Sequence, residues 1–333
     1  MKILVSGGTG YIGSHTAVEL IKAKHEVTIF DNLFNSKIEV LDKIKKITGT
    51  KPKFFNTDLL DKAGLDKIFQ SDNFDLVMHF AGLKAVVESI EKPLWYYQNN
   101  VGGTINLLQC MKKYKVKNFI FSSSATVYGK QKTPKLNENM KTGINLTNPY
   151  GKTKYVIEEI LKDLVESNNE FKIVILRYFN PIGAHPSGLI GEDPNDIPNN
   201  LMPIIVKVSQ GIISELSIYG NDYNTLDGTG IRDYIHVVDL AKGHLSAING
   251  LNNGVSIYNL GTGKGTSVLE MVSAFEKASG KKLPYKFMPR RKGDLAEVYA
   301  DPTKAEKELG WKTELTIKDA MQDIINFLDI IAN

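Results

Sequence analysis

The stretch Ser6–His15, SGGTGYIGSH, decides how this chain folds. It follows the short apolar run Ile3–Val5, which is typical of a strand, and it leads into a helical pattern at Tyr11–Ala23. A glycine-rich turn between a strand and a helix is the first unit of a dinucleotide-binding fold. The opening residues therefore predict a Rossmann-type α/β domain built on a doubly wound parallel sheet.

The three spaced glycines of this turn have separate roles. Gly7 permits the tight turn, Gly10 lets the backbone approach a pyrophosphate, and Gly13 lets the helix pack closely on the sheet. The start of the helix then offers free N–H groups and a positive dipole end to phosphate oxygens. The alternative is a purely structural turn, which the position between strand and helix disfavours.

The second predicted strand, Val27–Phe30, runs directly into an acidic residue, Asp31. A carboxylate at this place can accept hydrogen bonds from an adenosine ribose and would repel a 2′-phosphate. The next three residues, Asn32–Phe34, include no arginine that would reverse this preference. The predicted cofactor is therefore NAD rather than NADP.

Strand and helix patterns alternate through the first half, which predicts a parallel sheet covered on both faces. After Tyr178 the chain becomes rich in Pro, Gly, Asn and Asp, and Asn180–Asn200 is predicted to be loop. We expect an NAD-binding domain from 1–180 plus about 236–262, and a smaller mixed α/β substrate-binding lobe from about 181–235 and 263–333. Further strands are predicted at Phe54-Phe55, Leu76–His79, Phe119–Ser122, Ile173–Leu176 and Ser256–Gly261, and helices near Ile38–Ile47, Leu94–Tyr114, Tyr150–Ser167, His236–Ile248, Ser267–Ala278 and Ile317–Ile331.

The composition excludes several classes of function. A net charge of +4 over 333 residues is too small to indicate nucleic acid as the main partner. No apolar run approaches the roughly 18 residues of a membrane span, and MKILVSGG (Met1–Gly8) is already a strand and its turn, so no signal peptide is expected. The single cysteine, Cys110, cannot form an internal disulfide, which favours a cytoplasmic location. No His/Cys cluster indicates a metal.

The stretch Asn148–Lys154, NPYGKTK, carries the first catalytic candidates. Asn148 is a good N-cap and Pro149 suits the first turn of a helix. Tyr150 and Lys154 are four residues apart, so both side chains emerge on one face. A nearby ammonium, the positive helix end and the cationic nicotinamide ring of NAD⁺ would each stabilise a phenolate. We therefore expect Tyr150 to act as a general base on an alcohol, with Lys154 as its electrostatic partner.

A serine cluster precedes this helix in the stretch Lys117–Gly129, KNFIFSSSATVYG. Ser124 follows a predicted strand and would hydrogen-bond the reacting oxygen at the carboxyl edge of the sheet. The Y-x-x-x-K spacing alone is a weak signal, and a solvated helix pair is its default interpretation. The glycine turn upstream favours the catalytic hypothesis.

Several motifs together resemble the extended short-chain dehydrogenase/reductase family, and within it the UDP-glucose 4-epimerases. The resemblance runs from residue 2 to about residue 320. It implies an NAD-dependent isomerase that interconverts UDP-glucose and UDP-galactose in galactose metabolism through a transient 4-keto sugar. The motifs are GGTGYIGSHT, HFAGLKAV, SSSATVYG, NPYGKTK, LRYFNPIGAHPSG, IPNNLMP and GTGIRDYIHV.

The resemblance also implies which residues line the cofactor. In that family the corresponding positions surround the dinucleotide. They are Gly7, Gly10, Tyr11, Ile12, Gly13, Asp31, Asn32, Asn35, Ser36, Asp58, Leu59, Phe80, Ala81, Gly82, Lys84, Asn99, Ser124, Tyr150, Lys154 and Phe179.

A UDP-sugar site follows from the same resemblance. Arg232 and Arg291 are candidates for the diphosphate, because a guanidinium fork matches phosphate oxygens, and Asp294 is a candidate for the uridine ribose. For each arginine alone, a surface salt bridge remains the alternative. The full set of implied contacts is Lys84, Ser124, Tyr150, Asn180, Asn199, Asn200, Leu201, Tyr219, Arg232, Arg291, Asp294 and Val298.

Two positions separate subfamilies within this resemblance. Similar 4,6-dehydratases carry carboxylates directly after the active-site serine or threonine, where this chain has Ala125 and Thr126, so a dehydratase is disfavoured. In RKGDLAEVYAD, the position that sets pocket size beside the 2-position of the sugar is Val298. A residue of this size predicts that UDP-GlcNAc and UDP-GalNAc are also accepted, although a shift of one residue would put Tyr299 there instead.

Two other classes of function stay open on the sequence. An NAD-dependent dehydrogenase of the same fold would share the catalytic candidates but would release reduced cofactor and need no diphosphate arginines. A catalytically silent nucleotide-binding regulator would not need Tyr150 or Lys154. The family usually forms homodimers through two helices of each subunit, here Leu94–Tyr114 and Lys152–Ser167.

Overall fold

A computed structural model describes residues 1–195, 200–291 and 293–332. The strands in these residues are named in chain order. They are β1 (Lys2–Ser6), β2 (Glu26–Asp31), β3 (Lys53–Asn56), β4 (Leu76–His79), β5 (Asn118–Ser124), β6 (Lys135–Leu136), β7 (Lys172–Tyr178), β8 (Asn180–Ile182), β9 (Leu216–Tyr219), β10 (Ile231–Arg232), β11 (Tyr234–His236), β12 (Gly254–Leu260), β13 (Thr266–Ser267), β14 (Tyr285–Met288) and β15 (Glu297–Ala300).

The α-helices of the described residues are named in the same way. Short 3₁₀ turns follow β5 at Ala125–Tyr128 and precede β12 at Ala247–Gly250. The helices are α1 (Tyr11–Lys22), α2 (Val40–Thr48), α3 (Lys62–Gln70), α4 (Val86–Glu91), α5 (Pro93–Tyr96), α6 (Gly103–Lys113), α7 (Pro149–Ser167), α8 (Leu201–Ser209), α9 (Val237–Ser246), α10 (Val268–Ser279), α11 (Thr303–Leu309) and α12 (Ile317–Ala332).

Seven parallel strands form the central sheet, in the order β12-β7-β5-β4-β1-β2-β3. The order reverses between β1 and β4, because the chain first builds outward through β2 and β3 and then crosses back. Such a switch point opens a crevice at the carboxyl ends of the strands, where ligands bind in open α/β sheets. The predicted doubly wound α/β fold is confirmed.

Alternate residues of the central strands face two different cores. Ile3 and Val5 of β1 pack into one core together with residues of α1, α2 and α9. Leu4, between them, packs into the other core with residues of α3, α6 and α7. Because both faces are covered, the strands are almost continuously apolar, as expected for parallel strands.

Residues late in the chain return to this sheet. Strand β12 pairs with β7 along its whole length, and α9 packs on α1. Smaller sheets lie outside it, in the orders β13-β10-β15-β6, β11-β8 and β14-β9. A separate core that includes Ile205, Ile218, Phe275 and Met321 joins α8, β9, α10 and α12. The exact division into lobes stays a prediction.

Two sequence expectations differ from the structure. The helix predicted at Leu94–Tyr114 is interrupted by a π-helical segment, Tyr97–Gly102, between α5 and α6. Hydrophobic periodicity cannot distinguish one wide turn from an ordinary one, and π segments occur frequently at functional sites. The loop predicted at Asn180–Asn200 begins with strand β8, which pairs with β11.

Among the described residues, no helix combines the length and apolar character that a membrane crossing requires.

Candidate active site

The glycine turn has the close backbone approaches that its spacing predicts. Gly7 has a φ of +68°, and a Cβ added there would lie 2.6 Å from the backbone nitrogen of Ala81. A Cβ added at Gly13 would lie 2.2 Å from the carbonyl oxygen of Gly7. No side chain caps the N-terminus of α1 at Gly10. No capping side chain would therefore compete with a pyrophosphate for the N–H groups at the start of α1.

The acidic end of β2 is held by its own loop. The Asp31 carboxylate accepts hydrogen bonds from the backbone N–H of Leu33 at 3.0 Å and from the Ser36 hydroxyl at 3.1 Å. Beside it, the Asn32 amide donates to the Asp58 carboxylate at 2.6 Å. The structure thus brings four predicted cofactor residues together at one corner of the crevice. Leu59, next to them, is buried.

A loop from the second half of the chain reaches this corner. The Asn195 backbone N–H donates to the Asn35 side chain at 2.8 Å, and Lys84 forms an ion pair with Glu192 at 3.0 Å. Tyr11 donates its hydroxyl hydrogen to the Gly183 carbonyl at 2.7 Å. Sequence reasoning did not identify Glu192, because a partner 108 residues away leaves no local signal.

The remaining cofactor candidates lie near the carboxyl ends of the central strands. Phe80 packs on the His244 ring with centroids 4.7 Å apart, and Asn99 donates to the Asn100 side chain at 3.0 Å. Ile12 packs against the sheet. Ala81 and Gly82 follow directly in the turn after β4.

Tyr150 and Lys154 lie in the first turns of α7. The Asn148 side chain accepts the Gly151 N–H at 2.8 Å, which is the predicted N-cap, and Pro149 is the first helical residue. Tyr150 and Lys154 are both buried. These two side chains and Ser124 form what we call the catalytic edge.

The buried surroundings of this pair affect its protonation. Burial raises the pKa of Tyr150 above its ordinary value, the buried Tyr178 phenol raises it further, and the Ser124 hydroxyl opposes the rise by a hydrogen bond. The Lys154 ammonium donates to the Ser122 carbonyl at 2.7 Å, so its direct partner is the backbone of β5. Desolvation therefore opposes the phenolate, and the expectation that cations beside Tyr150 stabilise it stays a prediction.

Ser124 lies where the sequence placed it, at the end of β5. Its hydroxyl oxygen accepts hydrogen bonds from the Thr126 hydroxyl at 3.0 Å and the Thr126 backbone N–H at 3.2 Å. Thr126 therefore orients the serine. Sequence reasoning missed Tyr178, which pairs in register with Ser124 across β5 and β7. The register of two parallel strands, which places it there, is not visible in the sequence.

Two arginines and an aspartate lie together between β10 and the segment before β15. The Asp294 carboxylate accepts a short hydrogen bond from Arg232 and pairs with Arg291 at 3.0 Å. The Arg291 guanidinium lies 5.0 Å from the centroid of the Tyr219 ring. We call these four residues the arginine cluster. The structure brings together residues that are more than 60 positions apart in sequence.

The other implied substrate residues are placed less closely together. Asn180 begins β8 and donates its amide to the Asp233 carbonyl at 3.0 Å. Asn200 and Leu201 begin α8. Asn199 lies outside the described residues. Phe179 is buried in a small cluster with residues of the 3₁₀ turn after β5.

Val298, in β15, packs against that same small cluster, which includes Val127, Tyr128 and Phe179. Its neighbour Tyr299 faces the other way, because its ring would lie 3.7 Å from a Cβ added at Gly265. Side chains alternate along a strand. Val298, rather than Tyr299, therefore faces the cluster that contains Phe179.

The comparisons with known proteins agree with this geometry. A family model described as GDP-mannose 4,6 dehydratase matches residues 4–324. The UDP-glucose 4-epimerase of Bacillus subtilis (strain 168) is 54% identical over 325 residues, which cover 97% of this chain and 95% of the relative.

Two solved structures have the same fold. The UDP-glucose 4-epimerase from Bifidobacterium longum, in complex with NAD⁺ and UDP, has a TM-score of 0.96 at 51% identity and covers 100% of this chain and 99% of its own. The UDP-Glc/GlcNAc 4-epimerase from the human pathogen Campylobacter jejuni has a TM-score of 0.86 at 36% identity, with 99% of each chain covered. The Bacillus subtilis relative and this chain share more than half of their residues along nearly the full length of both proteins. This chain therefore belongs to the UDP-glucose 4-epimerase family.

Proposed function

We propose that this protein is an NAD-dependent isomerase that interconverts UDP-glucose and UDP-galactose at C4 through a transient 4-keto sugar. The observation that carries the proposal is the catalytic edge, Ser124, Tyr150 and Lys154, at the carboxyl ends of the strands beside the glycine turn. The curated relatives at more than half identity have this activity in their names.

The glycine turn and the Asp31 corner fit NAD. Added Cβ atoms at Gly7 and Gly13 collide with backbone, so the cradle is shaped for close approach by a ligand at its rim. A carboxylate at Asp31 suits a ribose with a free 2′-hydroxyl. NAD⁺ held there would supply a reversible hydride acceptor for C4 of the sugar, so that hydride could return to the opposite face.

The residues of the catalytic edge handle the proton. Tyr150 takes the proton of the 4-hydroxyl as the C4–H bond breaks and returns it as the bond forms again. Ser124 donates a hydrogen bond to the sugar oxygen, and Thr126 holds Ser124 for this role. The Lys154 ammonium supplies positive charge that stabilises the phenolate, which burial alone disfavours. Because the cofactor is regenerated in each cycle, the reaction needs no net oxidant.

The arginine cluster would bind the diphosphate. In the structure the Asp294 carboxylate occupies both guanidinium groups. Arg232 and Arg291 carry bidentate donors that match phosphate oxygens. We propose that the diphosphate takes over part of this pairing and that Asp294 turns to the uridine ribose.

A 4,6-dehydratase is the activity named by the family model, and the chain lacks its chemistry. Elimination of water across C5 and C6 needs an acid and a base beside the sugar. This chain has Ala125 and Thr126 there, and the Thr126 hydroxyl is engaged with Ser124. The position therefore supports epimerisation.

We further propose that N-acetylated UDP-sugars are substrates. Val298 packs against the cluster that contains Phe179, one of the residues implied to line the cofactor. A valine leaves more room than an aromatic side chain. The UDP-Glc/GlcNAc 4-epimerase of Campylobacter jejuni shows that this fold can accommodate both substrate pairs.

The substitution Val298→Tyr tests this specificity. We expect it to abolish turnover of UDP-GlcNAc while the UDP-glucose pair is still interconverted, because the larger ring fills the space beside C2. Tyr299→Val, on the opposite face of β15, is the matched control and should leave the ratio of the two activities unchanged. A wild type without N-acetyl turnover contradicts the proposal.

A homodimer is the proposed assembly. Three apolar side chains on α4 and α5 are strongly exposed: Val87 at 54%, Ile90 at 59% and Leu94 at 83%. These helices pack against α7, so the exposed side chains lie beside the pair of helices that form the interface in this family.

The substitution Ile90→Glu tests this assembly and should yield a monomer in analytical ultracentrifugation. Ile212→Glu, at a site 66% exposed but far in sequence, should not.

The catalytic proposal is tested first with purified protein and UDP-galactose, with no NAD added. Formation of UDP-glucose supports an epimerase with a bound, self-regenerating cofactor. Accumulation of reduced cofactor after NAD is added would instead favour the dehydrogenase. We also propose a role in galactose metabolism, which growth of an epimerase-deficient host on galactose tests. The cytoplasmic location is proposed from the single cysteine, Cys110.

A further inference from the structure

The helix that carries Tyr150 and Lys154 presents a third polar side chain on the same face. Glu158 follows Lys154 by four residues, as Lys154 follows Tyr150, so the three side chains lie along one stripe of α7. Glu158 is completely buried. A buried carboxylate is tolerated only when it is paired and hydrogen-bonded, so its partners reveal what it holds in place.

Both carboxylate oxygens of Glu158 are occupied. Oε1 accepts hydrogen bonds from the Ser123 hydroxyl at 2.6 Å and from Arg177 Nε at 3.0 Å, and Oε2 accepts one from Arg177 Nη2 at 2.5 Å. Arg177 is 1% exposed, and its guanidinium lies 4.8 Å from the centroid of the Tyr128 ring. The buried pair therefore joins α7 to the carboxyl ends of β5 and β7.

The end of β5 meets this stripe at successive residues. The Ser122 carbonyl accepts a hydrogen bond from Lys154, and the Ser123 hydroxyl donates one to Glu158. The next residue, Ser124, ends β5 and belongs to the catalytic edge. Glu158 thus holds the residue that lies between the Lys154 contact and Ser124.

We propose that Glu158 is a positioning residue for the reaction, which fixes the end of β5 beside α7 and supplies the negative charge that keeps Lys154 an ammonium. The role rests on the proposed epimerase activity. It differs from a purely structural role, because a structural contact would not change the protonation of Lys154.

The ionisable groups around Lys154 are consistent with this role. Burial lowers the pKa of Lys154 to about 8, and the Glu158 carboxylate opposes that fall. Burial lowers the pKa of His79, on β4, to about 3, so His79 is neutral at pH 7. Burial raises the pKa of Tyr150 and of Tyr178, so both phenols are neutral there as well. Glu158, one helical turn from Lys154, is thus the negative charge that opposes the fall in the pKa of Lys154.

The charge of Arg177 does not supply the same effect. Arg177 shares the buried pair and always carries a positive charge. While Arg177 is paired with Glu158, the carboxylate offsets the positive charge of the guanidinium, which would otherwise repel the Lys154 ammonium. Loss of the carboxylate therefore removes an attractive charge and exposes a repulsive one, and both changes make Lys154 lose its proton at lower pH.

The test compares two variants that break the same pair. Glu158→Gln removes the negative charge, whereas Arg177→Lys keeps both charges and removes only the bidentate geometry. The dependence of kcat on pH is measured for UDP-galactose at saturation across the neutral and alkaline range. In parallel, competitive acetylation of the protein, followed by mass spectrometry of the peptide that contains Lys154, measures the pKa of its amine without turnover.

We expect Glu158→Gln to move the alkaline limb of kcat and the labelling pKa of Lys154 to lower pH by about one unit, given charges one helical turn apart. Arg177→Lys should lower thermal stability and leave both values in place. The double variant Glu158→Gln with Arg177→Met replaces the pair by neutral groups, which proteins often tolerate. The double variant should fold, and the pKa of its Lys154 amine, measured by acetylation, should be lower than in the wild type. It replaces Glu158→Gln in the test if that single variant does not fold.

Unchanged labelling pKa values in a folded Glu158→Gln protein or in the double variant would overturn the proposal, even if kcat falls. Equal shifts in Glu158→Gln and Arg177→Lys would also overturn it, because they would indicate a general effect of broken packing. A wild type that labels as expected but does not interconvert the sugars would instead overturn the proposed function.

Discussion

The catalytic edge and the arginine cluster are built in opposite ways. Ser124, Tyr150 and Lys154 are each no more than 8% exposed and stand on the ends of a long strand and a 19-residue helix. In the arginine cluster, the Arg291 side chain is 58% exposed and short strands and loops carry the charges. The first region is fixed by packing and the second by charges that a ligand can replace.

This difference indicates a division of labour between the two regions. Chemistry needs groups whose positions and protonation are set before the substrate arrives. Recognition of a diphosphate needs cations that remain accessible to solvent, because the anion must reach them from water. The two regions should therefore respond differently to mutation, pH and salt.

The largest effect is expected from Tyr150→Phe, which removes only the hydroxyl at the buried edge. We expect kcat to fall by about a thousandfold, within the range for loss of a general base, with little change in KM. Turnover of UDP-galactose measures it, and thermal unfolding shows that the fold is intact. Activity within a factor of about ten of the wild type would remove Tyr150 from the role of base.

Substitutions in the arginine cluster should act mainly on KM. Arg232, with a side chain 23% exposed, should contribute more than the 58% exposed Arg291. We expect Arg232→Met to raise KM about a hundredfold and Arg291→Met about tenfold, since hydrogen bonds between charged groups contribute about 1.5–3 kcal/mol. Steady-state kinetics measure both values. A fall in kcat larger than the rise in KM would contradict the division between chemistry at the catalytic edge and recognition at the arginine cluster.

Acid should weaken the structure beneath the catalytic edge. Burial lowers the pKa of His79 to about 3 and that of His244 to about 4. Between these values and about 6.5 the unfolded chain binds more protons, so stability is complete above about pH 6.5 and falls as the pH decreases. At pH 5 each histidine should cost about 2 kcal/mol of unfolding free energy.

Urea unfolding at neutral and acidic pH measures this loss. His244→Gln should reduce the pH dependence, because glutamine does not titrate. Arg232→Met, in the arginine cluster, should leave it unchanged. A stability that stays constant as the pH falls toward 5 would show that these histidines find new partners when protonated.

The smallest effect is expected from salt. Exposed charges are screened within about 10 Å at 0.1 M salt, and buried ones much less. We expect KM for UDP-galactose to rise about threefold at high salt while kcat changes little. The effect should shrink in Arg291→Met. If salt changed kcat but not KM, the catalytic edge rather than the arginine cluster would be the salt-sensitive region, and the comparison would be wrong.

Local patterns predicted most of the catalytic edge. The Asn148 N-cap, Pro149 and the four-residue spacing of Tyr150 and Lys154 all act within two turns of one helix, and the structure has them as expected. The glycine turn was predictable for the same reason, because its constraints arise from neighbouring residues. The bounds of β4 match the predicted strand residue for residue.

Long-range contacts escaped the sequence analysis. The pair of Glu158 with Arg177 depends on how α7 lies on β7, and the pair of Lys84 with Glu192 joins segments 108 residues apart. The π-helical segment Tyr97–Gly102 lies inside a stretch that the sequence pattern predicted as one helix. Each of these features depends on tertiary packing that no short pattern records.

The sequence by itself determined the dinucleotide fold and the glycine cradle, and it pointed to Tyr150, Lys154 and Ser124 as catalytic candidates, because these features depend on backbone geometry and spacing within single elements. Only the tertiary structure decided the protonation of those residues. Burial opposes the phenolate of Tyr150 and the ammonium of Lys154, and the anion that compensates Lys154 comes from a buried pair across two elements. Desolvation depends on what the rest of the chain packs around a group, and folding is what supplies it.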